Sequence, residues 1–133
     1  GHMTTQELEI ILSRQLADCL SMAIFLTDVE GNLLFYNEPA EYLLGKKFED
    51  TGPMPVAEWS TIFHPQDEAG NDLEPRDLPL VKTLGTSEPA HGAFWIDSLD
   101  GDRHLITVTS FPLIGRGRRH VGAIAIFWKN HHA

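Results

Sequence analysis

Cysteine and long apolar runs are both scarce in this chain. Its single cysteine, Cys19, excludes an internal disulfide bond, and a chain without disulfides is typical of a reducing compartment. No apolar run approaches the roughly 18 residues that a membrane-spanning helix needs, and no signal-peptide pattern opens the sequence. We therefore expect a cytoplasmic protein that makes no direct contact with a membrane.

Basic residues are also few. Lys and Arg total 10 against 19 Asp and Glu, a net charge of −9, which argues against nucleic acid as a partner because phosphate binding depends on clustered Lys and Arg. The charge is uneven, since residues 1–75 carry 14 acids and 3 bases while residues 76–133 carry 5 acids and 7 bases. The group Arg116, Arg118 and Arg119 is either a solvated hairpin loop or an anion site.

The sequence lacks the motifs of common catalytic and metal sites. It contains no Gly-x-Ser-x-Gly, no phosphate loop and no His-Glu-x-x-His. His64, His91, His104 and His120 have neither an i, i+4 partner nor companion cysteines, so no metal site is expected. His64 with Asp67 is either an acid–base pair or a capped turn. We expect a protein that is not an enzyme, with no catalytic residues.

The N-terminal part predicts one amphipathic helix. Residues 1–3 have the composition of a tag remnant, and Thr4 with Glu7 forms a capping box that opens a helix over residues 4–20. Six apolar residues then follow at helical spacing: Leu8, Ile11, Leu12, Leu16, Cys19 and Leu20. A stripe this regular must be buried, either on its own domain or on a second copy, and we predict that it forms a homodimer interface.

The rest of the chain alternates between apolar strands and short helical segments. Gly31 and the Asp100-Gly101 pair mark hairpin turns, and Asn37 is placed to cap a short helix that ends at Gly45. Asp77 is placed to cap another helix, which Gly85 ends. Strands are predicted over residues 23–28, 33–36, 92–97, 103–112 and 120–128. This order is typical of an α+β domain, an antiparallel sheet with its helices on one face.

Taken in order, these elements resemble the PAS family. In that family an apolar strand ends in Asp, a Gly turn leads into a second strand ending in Asn, and a small helix ends in Leu-Gly. The matching positions are Asp28, Gly31, Asn37, Ala40, Leu43, Leu44 and Gly45, followed by Pro79-Leu80, Asp100-Gly101, Phe111-Pro112-Leu113 and Val121-Gly122-Ala123. The resemblance implies a PAS domain over residues 21–129, a five-stranded antiparallel sheet with short helices on one face and the N-terminal amphipathic helix.

The resemblance also implies a function, that of a regulatory sensor or dimerisation module whose effector domain lies outside this chain. It departs from the family at the end, where Trp128-Lys129-Asn130 replaces the Asp-x-Thr triplet that couples many PAS domains to their output. Covalent flavin photosensing uses a cysteine beside the cavity, whereas Cys19 precedes the first strand. Haem-binding members supply a His from the helix matching residues 78–84, which has none. We therefore expect neither flavin nor haem.

The covered face of the sheet is the place for a ligand cavity. Nine apolar residues are its candidate lining: Leu26, Phe35, Trp59, Phe63, Leu80, Leu84, Phe94, Ile106 and Val108. Such a lining suits a small apolar ligand and equally suits a filled core without one.

Two alternatives to the sensor stay open. One is an enzyme with a cone-shaped α+β fold like that of ketosteroid isomerase, which needs an acid–base set inside its cavity; Asp28 and Tyr36 are the nearest candidates. The other is a protein-interaction module without a ligand.

Overall fold

The computed structural model describes residues 22–130. The predicted N-terminal helix over residues 4–20 and its apolar stripe lie outside these residues. Within them, no helix has the length and apolar character needed to cross a bilayer.

A five-stranded antiparallel sheet forms the body of the structure. Its strands are β1 (Ala23–Thr27), β2 (Leu33–Tyr36), β3 (Ala90–Asp97), β4 (Arg103–Ile114) and β5 (His120–Lys129). Their order across the sheet is β2-β1-β5-β4-β3, and every neighbouring pair is antiparallel. The predicted fold class and strands are confirmed, with β3 beginning two residues earlier and β4 extending two residues further than predicted.

The hairpin turns follow the local signals of the sequence. Between β1 and β2 the Asp28 carboxylate accepts hydrogen bonds from the backbone N–H groups of Glu30 at 3.0 Å and Asn32 at 2.9 Å. Gly31 supplies the positive φ of 89° that this turn needs. The arginine-rich segment between β4 and β5 is an exposed hairpin loop with one 3₁₀ turn, Arg116–Arg118.

Four short α-helices and a 3₁₀ turn connect β2 to β3. They are α1 (Glu38–Leu44), α2 (Phe48–Thr51), α3 (Val56–Ile62), the 3₁₀ turn Pro75–Asp77, and α4 (Pro79–Thr86). The predicted caps of α1 are confirmed: the Asn37 side chain accepts from the Ala40 N–H, and Gly45 ends the helix in the left-handed conformation.

The predicted caps of α4 are wrong. Asp77 lies in the 3₁₀ turn, where its carboxylate accepts from the Glu74 N–H at 3.0 Å, and α4 begins only at Pro79. Proline is favoured in the first turn because its missing N–H has no helical partner there. Gly85 lies inside the helix, which ends at Thr86 with Ser87 in the left-handed conformation.

The two faces of the sheet bury separate apolar clusters. The larger cluster lies on the face packed by the helices and includes Phe25, Tyr36 and Phe127, whereas Leu26 and Phe35 belong to the smaller cluster on the opposite face. Because successive residues of a strand point to opposite sides, neighbours such as Phe25 and Leu26 enter different clusters. The helix-packed face therefore contributes one wall of a cavity, and the helices and connecting segments contribute the other.

Candidate functional site

A cavity of about 80 Å³ lies between the helix-packed face of the sheet and helices α3 and α4. Its lining is formed by Phe25, Leu44, Trp59, Phe63, Pro65, Leu78, Pro79, Leu80, Phe94, Ile96, Ile106, Val108, Ala125 and Phe127. Every one of these side chains is apolar apart from the indole N–H of Trp59, and that group is engaged elsewhere. The cavity can therefore offer packing contacts and little hydrogen bonding from side chains.

Trp59 fastens α3 against the first hairpin. Its indole N–H donates to the Gly31 carbonyl at 2.7 Å, in the turn between β1 and β2. Its ring meets Phe25 edge to face at a centroid distance of 5.3 Å. The only polar atom of the Trp59 side chain is thus paired with the backbone, and the ring presents an apolar surface to the cavity.

Helix α4 forms another part of the wall, and a buried hydrogen bond holds it to the sheet. The hydroxyl groups of Thr83 and Ser110 lie 2.7 Å apart, and both residues are buried. The neighbouring strand β3 passes close to the same helix, since a Cβ on Gly92 would lie 3.3 Å from the Pro79 ring. These contacts place Leu78, Pro79 and Leu80 against the cavity.

Six of the nine predicted lining residues meet at this cavity. They are Trp59, Phe63, Leu80, Phe94, Ile106 and Val108. Leu84 packs against the same core but does not line the cavity. Leu26 and Phe35 must be reassigned, because they lie on the opposite face of the sheet. Both faces of β1 and β2 are apolar, so periodicity alone could not distinguish Leu26 from Phe25.

Eight lining residues were absent from the prediction. They are Phe25, Leu44, Pro65, Leu78, Pro79, Ile96, Ala125 and Phe127. Ile96 could have been found from Phe94, since residues two apart in a strand share a face. Pro65 and Leu78 lie in irregular segments, where the sequence offers no periodicity.

The candidate acid–base residues of an enzyme lie elsewhere. Asp28 is engaged in the hairpin turn, and the Tyr36 hydroxyl donates to the Lys46 carbonyl at 2.8 Å while lying 3.1 Å from the Thr51 hydroxyl oxygen. Burial raises the pKa of Tyr36 above its ordinary value of 10.0. Neither residue lines the cavity, and residues 22–130 hold no group of three His, Cys, Asp or Glu side chains arranged for a metal ion.

A polar network borders the cavity at one side. His64 lies between the lining residues Phe63 and Pro65, and its ring nitrogens bond to carboxylate oxygens of Asp97 at 3.1 Å and Asp72 at 2.9 Å. The predicted partner Asp67 instead accepts backbone N–H groups within its own turn, so the capped-turn interpretation of Asp67 is correct. Sequence reasoning missed Asp72 and Asp97, which only the folded chain brings to His64.

Comparisons with known proteins identify the fold. A PAS domain from Colwellia psychrerythraea has a TM-score of 0.67 and 22% identity, covering 92% of this chain and 99% of that one. A light-oxygen-voltage protein from Rhodobacter sphaeroides has a TM-score of 0.70 and 14% identity, covering 97% and 70%. The PAS domain of a protein from Haloarcula marismortui described as HTR-like gives 0.61 and 18%, covering 94% and 96%.

No family profile matches the chain, and no curated protein is similar to it in sequence. At these identities the solved structures show the fold alone. The chain has the PAS fold, and the resemblance drawn from its sequence is confirmed.

Proposed function

We propose that this chain is a regulatory PAS module, not an enzyme, whose cavity takes a small apolar molecule on behalf of an effector domain elsewhere in a larger protein. The observation that carries the proposal is the cavity itself, which apolar side chains line between the sheet and the helices of a PAS fold. Apolar cavities favour apolar occupants, because a water molecule there finds no hydrogen-bond partners. We also propose the cytoplasm as its location.

The volume of the cavity supports a ligand of only a few non-hydrogen atoms. About 80 Å³ exceeds the roughly 10–15 Å³ that one water molecule needs. It is well below the roughly 300–1,000 Å³ of pockets that hold drug-sized molecules. Flavin and haem are larger still, and the lining offers them neither a cysteine nor a histidine. We accordingly propose that the cavity binds neither flavin nor haem.

Xenon binding tests whether the cavity accepts an apolar guest. Under xenon pressure, the methyl signals of Leu80, Ile106 and Val108 should shift saturably in NMR spectra, because xenon enters apolar cavities of this kind. Val108→Phe should abolish the shifts of Leu80 and Ile106 by filling the space with its ring. Val29→Phe, at an exposed turn position, is the matched control and should leave them unchanged.

Unshifted lining methyls in the unmodified chain would contradict the ligand proposal and favour a protein-interaction module with a filled core. Native mass spectrometry of freshly purified protein provides a second test, since it would detect a copurified apolar molecule.

We further propose that the chain is a homodimer through the stripe of its N-terminal helix. The sheet face opposite the helices carries Ile24, Leu26, Phe35 and Ile124, and Trp128 beyond them is 39% exposed. These four side chains are themselves buried. An amphipathic helix packed on this face while meeting its copy would shield them from water and bury its own apolar stripe.

Changing Leu8 and Leu12 together to Glu should weaken the dimer at least tenfold, because each substitution places an unpaired charge in an apolar contact. Light scattering during size-exclusion chromatography measures the association. Gln6→Glu with Ala17→Glu adds the same charge outside the stripe and should leave the dimer intact. A monomeric unmodified chain at tens of micromolar, or a double variant that dimerises equally well, would refute this interface.

A further inference from the structure

The segment of residues 63–73, here called the rim segment, covers one side of the cavity. It connects α3 to the 3₁₀ turn, and its residues Phe63 and Pro65 line the cavity. Backbone hydrogen bonds join it to the edge strand β3. Gln66 and Trp95 exchange two of them, at 2.9 and 2.7 Å, and the Asp97 N–H donates to the Phe63 carbonyl at 2.7 Å. Opening the cavity at this side therefore requires the rim segment to leave β3.

The His64 side chain ties the rim segment to β3 a second time. Its ring lies between Asp97, at the end of β3, and Asp72, within the rim segment, with one ring nitrogen near each carboxylate. A neutral imidazole has one N–H donor, whereas the imidazolium has two. Ionised carboxylates only accept hydrogen bonds, so both contacts form together only when His64 is protonated.

The backbone at His64 has an unfavourable conformation. Its φ is 46°, in the left-handed region that few non-glycine residues adopt. Such a conformation costs free energy and persists where surrounding contacts compensate for it. The compensation at this position comes from the two ring contacts together with the His64 N–H, which donates to the Thr61 carbonyl at 3.0 Å.

The other groups of the network around His64 are two carboxylates, an arginine and an amide. Arg103 donates to the second Asp97 oxygen at 3.0 Å, and its guanidinium lies 5.1 Å from the centre of the Trp95 ring. The Gln66 amide donates to Asp72 at 2.9 Å and also contacts Arg103. His64 is the histidine of this network, and histidine is the side chain whose ordinary pKa lies between about pH 5 and 8.

We propose that the rim segment is a proton-controlled closure of the cavity, held against β3 by the His64 imidazolium and loosened when His64 loses its proton. The closure itself is inferred from the contacts between the rim segment and β3. Its role in admitting a ligand rests on the proposed function.

The direction of the pH dependence follows from the three titrating groups. Hydrogen bonds to Asp97 and then Asp72 raise the pKa of His64 above 6.5. Its stabilising contribution is fully present below pH 6.5 and is lost as the pH rises through the raised value. The pKa of Asp72 lies below 3.8 because of Gln66 and His64, and that of Asp97 because of His64 and Arg103. Their contribution is present above pH 3.8 and is lost as the pH falls through the lowered values. The rim segment is therefore held most tightly at pH values above the lowered pKa values of Asp72 and Asp97 and below the raised pKa of His64.

Amide hydrogen exchange followed by NMR tests the closure directly. Between about pH 5.5 and about pH 8.5, the protection factors of the Gln66, Trp95 and Asp97 amides, corrected for intrinsic rates, should fall about three- to tenfold. The Leu33 amide, which bonds to the Met54 carbonyl at 2.7 Å on the far edge of the sheet, is the internal control and should not change. In His64→Asn the three protection factors should no longer depend on pH, since Asn tolerates the left-handed backbone without titrating.

An unchanged protection of Trp95 and Gln66 across this range would overturn the closure, as would an equal fall in His64→Asn or a parallel fall at Leu33. Asp72→Asn is the second variant should His64→Asn not fold, and it should reduce the pH dependence by removing one of the two carboxylate charges beside the ring, since an amide can bond to the neutral ring as well. The measurement needs no ligand, so its failure is distinguishable from a failure of xenon to bind.

Discussion

Gly122→Ala is expected to lower the free energy of unfolding by about 3 kcal/mol, at the upper end of the cost of overpacking a well-packed interior. A Cβ at this position would lie 2.1 Å from the carbonyl oxygen of Thr27. That oxygen belongs to the backbone of β1, and Thr27 is fully buried, so no flexible side chain can move aside. The clash can be relieved only by separating β1 from β5 within the sheet.

Urea denaturation followed by circular dichroism measures this loss, provided that the slope of the transition is unchanged. Gly85→Ala is the matched control. Gly85 lies inside α4, and a Cβ there meets nothing within 4 Å. That variant should gain up to about 1 kcal/mol, since alanine favours helices over glycine. Equal stability of Gly122→Ala and the unmodified chain would contradict the close approach of β1 to Gly122 of β5.

Asn37→Ala is expected to cost about 3 kcal/mol, because one buried side chain serves three backbone groups. Its amide oxygen accepts from the Ile24 N–H at 2.9 Å and the Ala40 N–H at 3.3 Å, and its amide nitrogen donates to the Met22 carbonyl at 2.8 Å. Removing the side chain abolishes the cap of α1 and leaves the Ile24 N–H without this acceptor. Each such loss contributes about 1 kcal/mol or more.

The matched control is Asn71→Ala in the exposed turn of the rim segment. The Asn71 amide donates to the Asp67 carboxylate at 3.3 Å, and losing an exposed contact of this kind should cost about 0.5 kcal/mol or less. If the two variants had the same midpoint of denaturation, the connection between α1 and β1 through Asn37 would contribute nothing beyond an ordinary surface contact.

Asn37 has one role that the local sequence predicts and another that it does not. Its role as the N-cap of α1 was predicted from its position before Glu38-Pro39, since capping involves only residues within one turn. Its contacts with Ile24 and Met22 join residues 13 and 15 positions apart. No local pattern specifies such a pairing, so the second role became visible only in the folded chain.

The cavity lining likewise includes residues that the sequence could assign and residues that it could not. That Phe94, Ile106 and Val108 face inward follows from their strands, whose partners on the sheet are set by hairpin turns visible in the sequence. The assignment failed for Leu26 and Phe35 because β1 and β2 are apolar on both faces. A period of two separates the residues of a strand into two sets, but it does not say which set meets the helices.

The sequence by itself determined the order of elements, the turns at Gly31 and Asp100-Gly101 and both caps of α1, because each depends on the conformational preferences of residues close together in the chain. Only the tertiary structure decided which face carries the cavity, why β5 needs a glycine at 122, and that His64 meets Asp72 and Asp97. These features depend on the packing of segments far apart in sequence. Packing selects among faces and partners that local preferences leave equivalent.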